Sequence, residues 1–171
     1  MTRFRIVPAS SSVSTETRSS VHNVHAESRA LTGSIEGKLN EAGLPQFEAP
    51  HHARIQVPVE TMRSGNRLQD AEMQRRLEPR RHPLIEVIID HAWRLEGDGR
   101  CRAAFRVTAH GRTQSFEEDF RLRVDGRRLF VEGEHTFDMR DFDVKPPRLL
   151  TLKVEPQVTV RARIVADREE P

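Results

Sequence analysis

Eight histidines, one cysteine and several groups of carboxylates are the side chains of this 171-residue chain that could hold a metal or move a proton. His22 and His25 stand three apart, His51 and His52 are adjacent, and His82 follows a helix-like segment. None has the His-Glu-x-x-His spacing that sets two imidazoles on one helical face, and no cysteine pair accompanies them. The pattern reads as histidines scattered over the surface or a mouth, with a haem or metal ligand at His22, His25 or His91 left as the alternative. Asp138, Asp141 and Asp143, with Glu132 and Glu134, offer paired acids, but they fall at turns or on a wet face, where carboxylates are solvated. Cys101 has no partner, which excludes an internal disulfide and any multi-cysteine zinc site. Ala103 and Phe105 continue its parity, so it reads as a small wall residue. No Gly-x-Ser-x-Gly, phosphate loop or dinucleotide fingerprint occurs. Catalytic residues, a metal and a cofactor are therefore not expected.

The elements that would position any site show a period of two. Leu150, Leu152, Val154, Pro156, Val158, Val160, Ala162 and Ile164 share one parity, against Thr151, Lys153, Glu155, Gln157, Thr159, Arg161 and Arg163. A strand sends successive side chains to opposite faces, so this segment has a dry face and a wet one. At about fifteen residues it is far longer than the usual five or six. The same alternation sets Ile55, Val57 and Val59 against Arg54, Gln56 and Glu60, and Ile85, Val87, Ile89, His91 and Trp93 against Glu86 and Asp90. Cys101, Ala103, Phe105 and Val107 oppose Arg100, Arg102 and Arg106. Phe116, Phe120, Leu122 and Val124 oppose Asp119, Arg121 and Arg123. Leu129, Val131, His135 and Phe137 follow, with Phe130 out of step.

Gly97-Asp98-Gly99, His110-Gly111-Arg112 and Asp125-Gly126-Arg127 separate these runs as tight hairpins, which makes neighbouring strands antiparallel. Residues 13–21 form a weakly apolar strand. Residues 25–39, interrupted by Gly33 and Gly37, form one bent strand or two short ones. Asn66 to Leu77 lacks β-branched residues and ends before Pro79, so a single short helix is predicted there, its stripe made by Leu68, Met73 and Leu77. About eight strands with one dry face favour an all-β fold, an extended antiparallel barrel with one short helix, over a β-sandwich. One domain spanning 1–171 is expected.

Charge narrows the function classes. Twenty-eight basic against 26 acidic residues leave a net charge of +2 with no basic block, so nucleic-acid binding has no support. No stretch approaches the roughly 20 apolar residues of a membrane span, and no apolar leader segment follows Arg3 and Arg5, which points to the cytoplasm.

Taken in order, several segments resemble the YceI-like family of polyisoprenoid-binding, lipocalin-like proteins. They are Phe4-Arg5-Ile6-Val7-Pro8 with Ser12, Gly33-Ser34-Ile35-Glu36-Gly37, and Ser64-Gly65-Asn66 with Asp70, Met73 and Leu77. His82-Pro83-Leu84-Ile85 follows, and Phe137-Asp138-Met139-Arg140-Asp141-Phe142 with Pro146-Pro147 completes the set. The likeness spans nearly the whole chain, although His82 stands where the family usually has tyrosine and Ser14 to Arg18 are unusually polar. It implies a lengthwise apolar pocket for a long-chain amphiphile such as a polyisoprenoid, an isoprenoid quinone or a fatty-acid derivative.

With that implication the inward-facing positions become candidate ligand-binding residues: Ile55, Val57, Val59, Val87, Ile89, His91, Trp93, Ala103, Phe105, Val107, Phe116, Phe120 and Leu122. Alternation alone cannot separate lining from packing, but the small residues among them favour a roomy interior. His91, Glu118 and His135 share the dry parity and need polar partners, from a ligand headgroup or from a neighbouring side chain. Loops at His51-His52 and residues 64–82 are the expected mouth, with the helix a partial lid. A homodimer is compatible with the sequence. A solid-core interaction or stress-response module and a small barrel enzyme are the competing readings.

Overall fold

The computed structural model describes residues 1–149 and 152–171. Its strands are β1 (Thr2–Ile6), β2 (Ser12–Ser19), β3 (Asn23–Ser28), β4 (Thr32–Gly37), β5 (His52–Pro58), β6 (Leu84–Arg94), β7 (Arg100–Ala109), β8 (Arg112–Asp125), β9 (Arg128–Asp138), the short β10 (Arg148–Leu149) and β11 (Leu152–Arg168). All pairings are antiparallel. The order β1-β4-β5-β6-β7-β8-β9-β11 returns to β1, closing a barrel of eight strands, and β2 and β3 extend the sheet from β11. Closure pairs both edges of the eight barrel strands, and the sheet keeps an outer edge at β3.

β11 makes this closure possible because of its length, 17 residues. One edge runs beside β9 from Gln157–Asp138 to Asp167–Arg128. The other edge is shared end to end: Val154 to Arg163 face β2, and Ala166 to Arg168 face β1. Pro156 falls where the β2 ladder shifts register between Val154 and Val158, since proline has no N–H to give to a ladder. Leu150, at the head of the predicted strand, lies outside the described residues. Residues 25–39 resolve into two short strands, β3 and β4.

The predicted helix is α1 (Arg67–Leu77). Asn66 caps it by accepting from the N–H groups of Leu68 and Gln69, and Glu78 ends it in the left-handed region at φ 51°. It packs against a 3-10 turn at Val59–Thr61. Met73 and Leu77 reach the interior, but Leu68 is exposed, so the helical stripe buries only two of its three predicted members.

Gly33 shows why the chain needs glycine in a strand. Its φ is +138°, and a Cβ there would lie 1.9 Å from the Arg54 carbonyl oxygen on β5. The wet faces carry cross-strand ion pairs: Arg54–Glu86, Arg106–Asp90, Arg102–Asp119, Arg128–Asp167, Arg161–Glu134 and Arg163–Glu132. Two acids suspected from the sequence, Glu132 and Glu134, are thus occupied by arginines. Phe130, out of step with its neighbours, lies beneath the Arg123 guanidinium at 4.0 Å.

Two outcomes are expected. Gly33→Ala should cost about 3 kcal/mol or more in chemical denaturation, because it adds backbone strain and a clash with β5 together. The second concerns acid. Hydrogen bonds from Arg106, Arg102, Arg128 and Arg54 hold Asp90, Asp119, Asp167 and Glu86 below the usual carboxylate range. A lowered folded-state value means that the unfolded chain binds more protons, so the stability these pairs give is present at neutral pH and lost as pH falls through the carboxylate range. The pairs are solvent-screened and individually weak. Tm measured against pH should be nearly level from about pH 7 to 5 and decline below about pH 4.

Candidate functional site

The pleat of the barrel strands turns their dry faces onto a cavity of about 250 Å³. Phe4, Ile35, Ile55, Val87, Ala103, Leu122, Val131 and Ile164 are among the residues on its wall, drawn from all eight barrel strands. Side chains close one end: Phe105, Phe116, Phe137 and Phe142 pack with centroid separations of 5.0–6.3 Å, joined by Val107, Val144 and Leu77. Residues 36–39 and 45–47, with His51 and His52, border the other end. That is the mouth. The expectation for His51 and His52 agrees with this arrangement, but residues 64–82 and α1 do not border the cavity. Leu77 instead belongs to the closed end, so the helix is no lid.

Nine of the thirteen positions predicted to face inward lie on the cavity wall: Ile55, Val57, Val87, Ile89, Ala103, Phe105, Val107, Phe120 and Leu122. Four do not. Val59 is buried, but Pro58 ends β5 and Val59 turns into the 3-10 segment beside α1, where Gln74 bonds its carbonyl. Phe116 sits within the aromatic plug, screened from the cavity by its neighbours. His91 and Trp93 lie outside the barrel. A register shift between Ile89 and His91 leaves Asp90 as an extra residue, so parity inverts and Ala92 takes the inward place. The displaced rings stack in a row, Trp93 on His91 at 5.5 Å and His91 on His51 at 5.3 Å. His51 in turn bonds the Ala49 carbonyl through Nδ1, and its Nε2 accepts from the Ala92 N–H, which pins the mouth loop to β6.

A hydrogen-bonded polar pair lies on the cavity wall. His135 Nδ1 lies 2.8 Å from a Glu118 carboxylate oxygen, with Phe105, Phe116 and Phe137 packed around the imidazole at 4.5–5.8 Å. Each therefore partners the other, the second of the two roles expected of them. The pair also marks a change in the wall. The β8–β9 ladder runs from Asp125–Arg128 only as far as Phe120–Gly133. Beyond it, side-chain contacts join the strands, Glu118 to His135 and Phe116 to Phe137, and Gln114 Nε2 donates to the Asp141 carbonyl in the turn after β9 at 2.8 Å.

Chemically, a histidine oriented by a carboxylate resembles half of a nucleophile-activating relay. No hydroxyl or thiol among the described residues is hydrogen-bonded to His135 to complete it. Cys101 is fully buried on β7, where burial pushes its thiol up and away from the reactive thiolate. Asp138 accepts from the Arg140 N–H and grips the Arg140 guanidinium, a turn-capping role. What the arrangement offers is a largely apolar cavity with the Glu118–His135 pair on its wall.

Comparisons with known proteins agree with this geometry. The crystal structure of BcnA from Burkholderia cenocepacia superposes with a TM-score of 0.77 at 13% identity, over 94% of this chain and 98% of that one. A polyisoprenoid binding domain from Saccharophagus degradans, implicated in plant cell wall breakdown, gives 0.74 at 10% identity over 97% and 98%. The YceI protein of Campylobacter jejuni gives 0.69 at 10% identity over 88% of each chain. At such identities the likeness is one of fold. No protein with a curated description matches the sequence. Residues 4–166 match the profile of the YceI-like domain, and the chain accordingly belongs to the YceI-like family.

Proposed function

We propose that the barrel binds a long-chain apolar ligand, a polyisoprenoid, isoprenoid quinone or fatty-acid derivative, for carriage or sequestration. The observation that carries this reading is the cavity with apolar walls from every barrel strand. Membership of the YceI-like family supports it, as does the fold shared with a polyisoprenoid binding domain. At about 250 Å³ the space lies just under the roughly 300–1,000 Å³ of small-molecule sites, which suits a slender chain better than a bulky ring system.

The energetics follow from area alone. Each methylene taken from water yields about 0.8 kcal/mol, so ten of them yield about 8 kcal/mol, the standard free energy of a micromolar complex before the costs of association are met. No strong polar contact is required. The nine wall residues named above bind the tail, and Glu118 with His135 is the station that a polar or unsaturated group on the ligand would meet. The reading is of a binding protein and not an enzyme, and membership of the YceI-like family supports it.

Denaturing organic extraction of the purified protein should release a lipid detectable by mass spectrometry. Adding quinones, polyisoprenols or fatty acids should raise Tm, by about 5–10 °C at a hundredfold excess over Kd. An empty extract together with an unmoved Tm across that panel defeats the proposal. Ala103→Phe places a ring in the cavity, where the space should absorb it at a cost under about 2 kcal/mol. That variant should keep its circular dichroism and lose the ligand-induced rise in Tm; an undiminished rise would remove the cavity from the binding site.

A further inference from the structure

We propose that Glu78, His82 and His110, at the closed end of the barrel, form a binding site for a divalent transition-metal ion of the zinc type. One ligand atom from each lies within 4.8 Å of the other two. The chain brings them there from separate places. Glu78 ends α1, His82 follows it by four residues, and His110 opens the turn between β7 and β8.

Local backbone geometry builds the cluster. The Glu78 carbonyl accepts from the N–H groups of both Arg81 and His82, curling the chain so that His82 returns alongside Glu78. His110 and Gly111 both have positive φ, +51° and +74°, the conformation of a two-residue hairpin turn. A Cβ on residue 111 would stand 2.9 Å from Cε1 of His82, so only glycine leaves the seat in which that imidazole lies. The two imidazoles are 5.0 Å apart at an interplanar angle of 71°.

Orientation adds a second argument. His110 Nδ1 lies 3.1 Å from the Phe142 carbonyl oxygen, an acceptor, so Nδ1–H donates there and Nε2 is aimed at the cluster. Metal-bound histidines are commonly fixed in this way, through a hydrogen bond from the far ring nitrogen. Nε2 stands 2.7 Å from one Glu78 oxygen, while Arg81 engages the other oxygen at 3.4 Å. An ion pair between Glu78 and His110 would account for two of the three residues but not for His82, whose ring has no hydrogen-bond partner among the described residues. Two imidazoles and one carboxylate are a donor set for zinc, with a fourth position left for water, whereas calcium and magnesium prefer oxygen alone. Bonds of about 2.0–2.2 Å need the three atoms roughly 3.3 Å apart, which small side-chain rotations supply. Glu78 is partly exposed, and this gives an ion access to the site.

An ion held there would tie the end of α1, the following loop and the β7–β8 turn to one another, and through Phe142 to the aromatic plug. Untagged protein freed of metal with a chelator should bind one Zn2+ per chain with Kd at or below about 10 µM in competition with a chromophoric chelator. Saturating zinc should raise Tm by about 5 °C or more. His82→Gln should weaken binding at least about tenfold, and so should His110→Asn, whose asparagine tolerates the positive φ. Both variants should keep the wild-type far-ultraviolet circular dichroism; His22→Ala and His52→Ala should bind as wild type does. Absence of one-to-one binding up to about 100 µM zinc, or unchanged affinity in His82→Gln, would overturn the site.

Discussion

Closure of the sheet depends on one strand making three partnerships. β11 is long enough to hold β9 along one edge while β2 and then β1 occupy the other. Were it of ordinary length, β1 would have no partner on that side and the barrel would remain an open, curled sheet. The length also commits the strand to a strict period of two over its C-terminal half, because a slip of one residue would send Val160, Ala162 and Ile164 to solvent and Arg161 and Arg163 into the cavity. The arginines outside find Glu134 and Glu132 across the ladder, so both faces of the strand enforce one register.

That register decides what the interior can be. Small or medium side chains, such as Ala53, Ala92, Ala103, Gly133 and Ala162, are spaced around the wall, while Phe105, Phe116, Phe137 and Phe142 gather at one end. Bulk is therefore concentrated as a stopper, and the remaining length is left hollow. The ion pairs outside contribute little energy singly, but they match opposite charges across neighbouring strands on the barrel's outer face.

Much of this was legible in the sequence. Strict alternation placed nine wall residues, hairpin glycines placed the turns, and the lack of β-branched residues with the proline stop placed the helix. The failures have physical causes that no period reveals. One extra residue at Asp90 inverted the parity for His91 and Trp93, and proline carried Val59 out of its strand. Phe116 kept the expected facing, but its depth along the barrel put it among other aromatics. The mouth was half right because the helix, amphipathic on paper, buries its last turn at the closed end. The grouping of Glu78, His82 and His110 joins residues up to 32 positions apart through a turn and a hairpin, a juxtaposition that only the closed fold creates.

The wall between β8 and β9 has a mechanical consequence. From Glu118 onward these neighbours are held by a Glu118–His135 hydrogen bond and an aromatic contact, with a single amide to the turn after β9 and no rung of main-chain pairing between the strands. Prising β9 from β11 would rupture a ladder of eleven paired positions. Parting β9 from β8 over this stretch asks only for rotamer changes, so the cylinder has a built-in seam along which it yields sideways before it yields anywhere on the β9–β11 side.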